Sequence, residues 1–307
     1  MPKYNIIFRA DSSFKIGIGH IKRDLVLASF FSKSKITFAC LNLDGNINHE
    51  IVEAAYSVDI LKSNTKEELC RLIKHLEADL LIIDHYDIDY DFETYIKENT
   101  KTTILCFDDT YQKHNCDILL NHNIYANEKK YKNLVPKETI LLCGNKHTLL
   151  REEFYNELNK TKQKLDNKYK TIFLAMGGSD HSNINIKILK TLKNFKNIKV
   201  NLVTNSSNKN LQTLKQYSNN KKWINLHINS NKIAQIMRQS DFAIVSPSLS
   251  ANEVYFMGLD FIAIQTAKNQ SYMYRYLKKK KFLVMKSFKQ KDLNNYIHKM
   301  LTRLNYA

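Results

Sequence analysis

Short apolar runs rich in β-branched residues alternate along this chain with segments of helical period. In the first half the runs are YNIIFRA, ITFACL, DLLIIDH, TTILCFDD and CDILLNHN; in the second they are TIFLAMGG, IKVNLVTN, WINLHI, DFAIVSPS and DFIAIQT. Between them, NINHEIVEAAYS, KEELCRLIKHLEA, NINIKILKTLKNF, NKIAQIMRQS and SYMYRYLKKKKF place apolar residues at helical spacing, which predicts amphipathic helices. Strands that are apolar throughout and flanked by helices imply parallel sheets covered on both faces. The polar, Lys-rich stretch from Arg151 to Lys170 interrupts the rhythm and leads into a fresh strand. The expected fold is therefore α/β, with two Rossmann-like doubly wound domains in tandem: residues 1–150, a connection over 151–169, and residues 170–307. Each half opens on a strand, a glycine-containing turn and a helix. Ligands of such sheets bind beyond the carboxyl ends of the strands, so a cleft faced by both domains is the expected site.

Composition supports two ordinary cores. Of 307 residues 43% are hydrophobic, and seven Gly with three Pro exclude a fibrous or linker-rich chain. No apolar run approaches the ~20 residues of a membrane-spanning helix. The first residues read as a strand and not as a secretory signal, so a cytoplasmic location is expected. Five widely spaced cysteines, with no CxxC pair and no HExxH among ten histidines, suggest reduced core thiols and no metal site.

Charge separates the halves. Residues 1–150 carry 19 Lys/Arg against 21 Asp/Glu, whereas residues 151–307 carry 28 against 9. The second half suits an anionic partner such as a nucleotide phosphate, an acidic membrane face or nucleic acid, although lysines solvated on helix faces account for the bulk of the charge equally well.

Chemistry concentrates in loops after strands. Gly17, Gly19 and His20 follow Arg9, Asp11, Ser12 and Ser13 and open the helix IKRDLVLASFF. Glycine amides at a helix start can approach phosphate. The helix dipole disfavours imidazolium at His20, which suits a general base, while a capping or packing histidine is the alternative. A second loop, Met176, Gly177, Gly178, Ser179 and Asp180, could hold a ligand through its amides and the Ser179 hydroxyl. A third, Ser246 to Glu253, sets small hydroxyls at a helix start, and Glu253 one turn later has the chemistry to take both hydroxyls of a ribose; capping explains the serines as well but not Glu253. Lys268, Asn269 and Gln270 follow DFIAIQT and could read sugar hydroxyls or acetamido groups. Asp84, His85 and Tyr86, and then Asp108 and Asp109, end two strands of the first half and fit either cleft residues or polar loop ends.

Taken together, GIGHIKRDLVLA, LLIIDHY, CDILLNHN, LLREEFY and MGGSD resemble the PseG family of UDP-sugar hydrolases in pseudaminic acid biosynthesis, over essentially the whole chain. That family is similar in turn to the MurG-like glycosyltransferases of GT-B fold, which bind UDP mainly through the second domain. The resemblance implies hydrolysis of UDP-2,4-diacetamido-2,4,6-trideoxy-β-L-altropyranose, with His20 as the base that activates water. It implies nucleotide contacts from Gly17, Gly19, Gly177, Gly178, Ser179, Ser248 and Glu253, the last holding the ribose. It implies contacts to the rest of the substrate from Arg9, Asp11, Tyr86, Asn252, Asn269 and Gln270. No cofactor, metal, acceptor sugar, nucleic acid or membrane is implied, and a monomer is expected. This chain has Ser248 followed by Leu249 and Ser250 where the family has consecutive serines, so which hydroxyl meets phosphate is open.

Two other functions compete. A GT-B glycosyltransferase would share the nucleotide site, but the first loop is a near-copy of the hydrolase loop, and the first half lacks the basic character of a membrane-docking acceptor domain. A nucleic-acid-binding protein has only charge in its favour; few arginines and no recognisable RNA- or DNA-binding motif accompany it.

Overall fold

The computed structural model describes residues 4–160, 168–177, 180 and 183–305. The chain divides into two units, Met1–Leu149 and Leu150–Ala307, each built on a parallel sheet.

The first unit contains β1 (Asn5–Ala10), α1 (Gly19–Ser29), β2 (Lys35–Leu41), α2 (Asn48–Glu53), β3 (Ser57–Leu61), α3 (Lys66–His75), β4 (Leu80–Asp84), α4 (Tyr90–Asn99), β5 (Thr103–Phe107), β6 (Ile118–Asn121) and β7 (Ile140–Cys143). Its strand order is β3-β2-β1-β4-β5-β6-β7. Because strand side chains alternate, β1 feeds two cores. Ile7 joins Leu69, Leu81, Ile83 and Ile104 on one face. Ile6, Phe8 and Ala10 join Phe38, Ile82 and Phe107 on the other, where the Phe8 and Phe38 rings stack at 4.8 Å.

The second unit contains α5 (Glu152–Leu158), β8 (Lys170–Ala175), α6 (Ile184–Leu192), β9 (Ile198–Thr204), α7 (Leu211–Ser218), β10 (Ile224–Ile228), α8 (Ile233–Arg238), β11 (Phe242–Val245), α9 (Leu249–Phe256), β12 (Phe261–Ile264), α10 (Ser271–Lys279), β13 (Leu283–Met285) and α11 (Gln290–Asn305). The order β10-β9-β8-β11-β12-β13 is the Rossmann arrangement, with the chain reversing direction across the sheet between β8 and β11. Ile172, Leu174, Val200, Leu202, Ile244 and Ile262 form its core.

All ten apolar runs of the sequence are strands. The stretch expected to connect the domains begins instead as part of the second unit: α5 buries Phe154 completely, and Glu153 Oε2 accepts a hydrogen bond from the Ala234 backbone N–H at 3.1 Å. A single buried residue on a short helix that is otherwise exposed or half-buried leaves little trace in the composition. Among the described residues no helix is long and apolar enough to cross a membrane, and all five cysteines are free thiols.

In both sheets the crevice of an open α/β fold lies where the strand order reverses. In the first unit that point is flanked by the loops after β1 and β4; in the second, by the loops after β8 and β11.

Candidate active site

The loop after β1 is fixed by its own backbone. Gly17 N–H donates to the Ser13 carbonyl at 2.8 Å and Ser13 N–H to the Gly17 carbonyl at 3.2 Å, while Ser13 Oγ accepts from the Ile16 N–H at 2.9 Å. Gly17 has φ +88°, a conformation that favours glycine. Gly19 then begins α1, which brings His20 to the helix start.

His20 is buried, and its Nδ1 lies 2.6 Å from Asp84 Oδ1 at the end of β4. The register that sets Ala10 beside Asp84 brings the two strand ends together. Arg23, one turn along α1, donates from Nε to Asp84 Oδ2 at 2.5 Å and from a terminal nitrogen to Oδ1. The same guanidinium reaches His20 Nδ1 only at 3.3 Å. The closer carboxylate therefore sets the tautomer: Nδ1 carries the proton and donates to Asp84, leaving the Nε2 lone pair free to accept one. Burial opposes the charge on Asp84, but Arg23 and then His20 outweigh it and hold the carboxyl far below the usual carboxylate range.

Tyr86 is 51% exposed and sets its ring edge-on to His20 at 4.9 Å between centroids. Its hydroxyl donates to Asp109 Oδ2 at 2.9 Å, and Asp109 lies 3.4 Å from Arg23 Nη1. His20, Asp84, Tyr86 and Asp109, singled out separately in the sequence, thus form one cluster with Arg23 at its centre. The guanidinium also lies 5.0 Å from the Phe107 ring centroid.

Arg9 and Asp11 were expected to contact substrate. The structure buries both and turns them inward: Arg9 donates twice to Asp11 at 2.8 Å and once to the Ala39 carbonyl at 3.1 Å. Asp11 also accepts from the Leu41 N–H at 2.7 Å and pairs with His85 Nε2 at 3.0 Å. Burial raises the Asp11 carboxyl, yet His85 and Arg9 hold it well below the usual range. These residues tie the ends of β1 and β2 to the loop after β4, and so support the platform that carries His20.

In the second unit Gly177, with φ +87°, follows β8; Gly178 and Ser179 lie outside the described residues. Ser248 stands at the start of α9, but its hydroxyl pairs with Ser246 Oγ at 2.8 Å and makes no side-chain capping bond. Asn252 is buried on the first turn of α9. Glu253 follows it, with Arg151 Nη2 3.6 Å from one carboxylate oxygen. Burial pushes the Glu253 carboxyl up to about 7, Arg151 acting in the opposite direction. Arg151 also holds Glu153 at 2.7 Å, so the segment preceding β8 braces this carboxylate. After β12, Asn269 is exposed, whereas Gln270 Oε1 accepts from the Thr266 and Ala267 amides at 2.8 and 3.2 Å and shapes its own loop.

One described cluster has metal-site composition: Glu93, Cys106 and His114. His114 Nδ1 stands 2.6 Å from Glu93 Oε1, closer than the roughly 3.3 Å that two ligands on ~2.0 Å bonds to one tetrahedral ion maintain. Cys106 Sγ donates to the same oxygen at 3.2 Å. As it stands this is a hydrogen-bonded buried carboxylate.

His122, after β6, is buried with neither ring nitrogen partnered. Burial and then the Arg23 charge push it down to about 3. The unfolded chain binds this proton near pH 6.5 and the folded chain does not, so the contribution to stability is complete above about pH 6.5 and is lost as pH falls toward 3. At about pH 5 the loss amounts to ~2 kcal/mol. His122→Leu should therefore show a smaller drop in unfolding free energy between about pH 7 and pH 5 in urea titrations; parallel drops in both proteins would contradict the assignment.

The chain is 42% identical over 279 residues to the UDP-2,4-diacetamido-2,4,6-trideoxy-beta-L-altropyranose hydrolase of Campylobacter jejuni, a match that covers 91% of this chain and 98% of the relative. Among solved structures, MurG of Acinetobacter baumannii superposes with a TM-score of 0.65 at 11% identity, covering 98% of this chain and 92% of that one. A glycosyltransferase of Rickettsia africae gives 0.64 at 13% identity, covering 99% and 89%. At these identities the structural likeness shows the fold alone, which is GT-B. No family model matches the chain.

Proposed function

The chain belongs to the UDP-2,4-diacetamido-2,4,6-trideoxy-β-L-altropyranose hydrolase family, and we propose that it carries out the same hydrolysis, releasing UDP and the free diacetamido sugar as a monomeric cytoplasmic enzyme of pseudaminic acid biosynthesis. The observation that carries the mechanistic reading is the His20–Asp84 contact of 2.6 Å, which leaves Nε2 as a proton acceptor at the strand-order reversal of the first sheet.

In this reading water loses a proton to His20 Nε2 as its oxygen attacks the anomeric carbon. The bond from that carbon to the UDP oxygen breaks, UDP departs with the electron pair, and configuration inverts. Asp84 stabilises the imidazolium that forms, and its own negative charge is held in place by Arg23. Tyr86, exposed beside His20, is assigned to the sugar together with Asn269. Arg9, Asp11 and Gln270 act through the loops they brace, and Asn252 supports the first turn of α9. The nucleotide is assigned to the second unit: Glu253 to the ribose hydroxyls, and Gly177, Gly178, Ser179 and Ser248 to the diphosphate. Gly19, at the start of α1, is assigned to phosphate through its amide, and Gly17, whose own N–H is held by the Ser13 carbonyl, shapes the turn before it. The excess of 28 basic over 9 acidic residues in 151–307 favours an anionic leaving group. The chemistry requires no cofactor, metal or nucleic acid.

Phosphorus NMR of the reaction in oxygen-18 water, with no acceptor sugar present, tests this. UDP should accumulate with no isotope shift on phosphorus, because the labelled oxygen ends on the sugar carbon. A shifted resonance would mean attack at phosphorus. Absence of UDP until an acceptor is added would make the enzyme a glycosyltransferase.

A further inference from the structure

Asp24 is the fully buried acid of α1 that the mechanism above does not use. It lies one helical turn after His20, and neither of its carboxylate oxygens has a hydrogen-bond partner. The charge that acts on it most is that of Asp84, which Arg23, its neighbour on α1, and His20, one turn back, both engage. Two ionised carboxylates cannot share a water-free contact without a proton between them. Asp84 is the one engaged by donors: Arg23 occupies both its oxygens and His20 Nδ1–H points at one of them. The proton therefore belongs on Asp24.

We propose that Asp24 is a neutral carboxylic acid in the working enzyme, that its O–H donates to Asp84, and that it acts as a positioning residue for the His20–Asp84 pair.

The surroundings support this from every side. Arg23 and His20 face the contact from α1, Asp84 from β4, and Asp109 approaches through Arg23. Arg9 and Asp11, paired with each other on β1, and the Cys40 thiol on β2 lie beyond it. Burial, and then the charge on Asp84, push the Asp24 carboxyl well above the ordinary carboxyl range, and Arg23 offsets only part of that. The single guanidinium already balances Asp84. A second negative charge would favour the protonated form of His20 and remove the lone pair that accepts the proton of water. A neutral acid gives Asp84 a further donor without adding charge.

The function assigned to Asp24 rests on the hydrolase reading, but the location of the proton does not, so the two are tested separately. Infrared difference spectra of wild type minus Asp24→Asn, taken without substrate at about pH 8, should contain the C=O stretch of a protonated carboxyl. A wild type showing carboxylate bands alone would overturn the proposal, whatever the enzyme hydrolyses. Should Asp24→Asn not fold, carbon-13 NMR of the wild type labelled at aspartate carboxyl carbons gives the same reading through a carboxyl resonance that stays protonated at that pH. For function, Asp24→Leu keeps the volume but loses the donor: kcat should fall ~10-fold, with the acid limb of its pH profile moved to higher pH and UDP affinity unchanged. Asp24→Asn, whose amide donates from the same place, should recover most of the rate and return the limb toward the wild-type position. Equal losses in both variants with an unmoved limb would reduce Asp24 to a packing residue.

Discussion

Replacing His20 by Asn should abolish most turnover while leaving UDP binding intact. A positioned base contributes about 10²–10⁴ in rate, which corresponds to roughly 3–5 kcal/mol of barrier. Asn fits the same space and keeps an N–H to offer Asp84, so the buried Asp84–Arg23 pair survives and the loop from Ser13 to Gly17 has no reason to move. What disappears is the Nε2 lone pair. Calorimetric titration with UDP, set beside the rate of UDP release from the sugar nucleotide, separates the two effects: affinity should stay within about threefold while kcat falls at least 10²-fold. A variant turning over at the wild-type rate would remove His20 from the proton transfer. Parallel loss of rate and UDP affinity would instead mean that the substitution disturbs the whole loop.

The sequence marks His20 because a histidine after Gly-Ile-Gly at a helix start is conspicuous, and it marks Asp84 and Tyr86 because they end an apolar strand. It does not show that these residues meet. Their contact depends on β1 and β4 being neighbours, with Ala10 opposite Asp84, although 64 residues separate His20 from Asp84. Arg23 and Asp24 read as ordinary polar positions of an amphipathic helix, and only the sheet order turns that face toward the end of β4. Arg9 and Asp11 illustrate the converse. Charged residues at a strand end look like ligand contacts, but in a central strand flanked by β2 and β4 they face the interior and pair there. Strands were legible where both faces are buried. The edge strand β3 mixes half-buried and exposed positions over SVDIL, and β13 spans only three residues, so neither gives a clear apolar run.

Asp84→Asn should be the more damaging substitution, because it strikes chemistry and stability together. The amide can present either oxygen or nitrogen to His20, so the tautomer that exposes the Nε2 lone pair is no longer enforced; loss of such a carboxylate partner costs on the order of 10⁴ in kcat in a comparable histidine system. At the same time the buried Arg23 guanidinium loses its bidentate partner and keeps only Asp109, at 3.4 Å. Removing one member of a buried pair destabilises by about 3–5 kcal/mol. Urea unfolding should therefore distinguish the two variants, with Asp84→Asn clearly destabilised and His20→Asn close to wild type. A neutral Asp24 sharpens the expectation, since without the Asp84 charge beside it Asp24 is free to ionise and take over part of the charge of Arg23. The double variant Asp24→Asn, Asp84→Asn removes that relief, and its loss of stability should exceed the sum of the two single losses. Simple additivity would mean that Asp24 keeps its proton when Asp84 is neutralised and gives Arg23 no such relief.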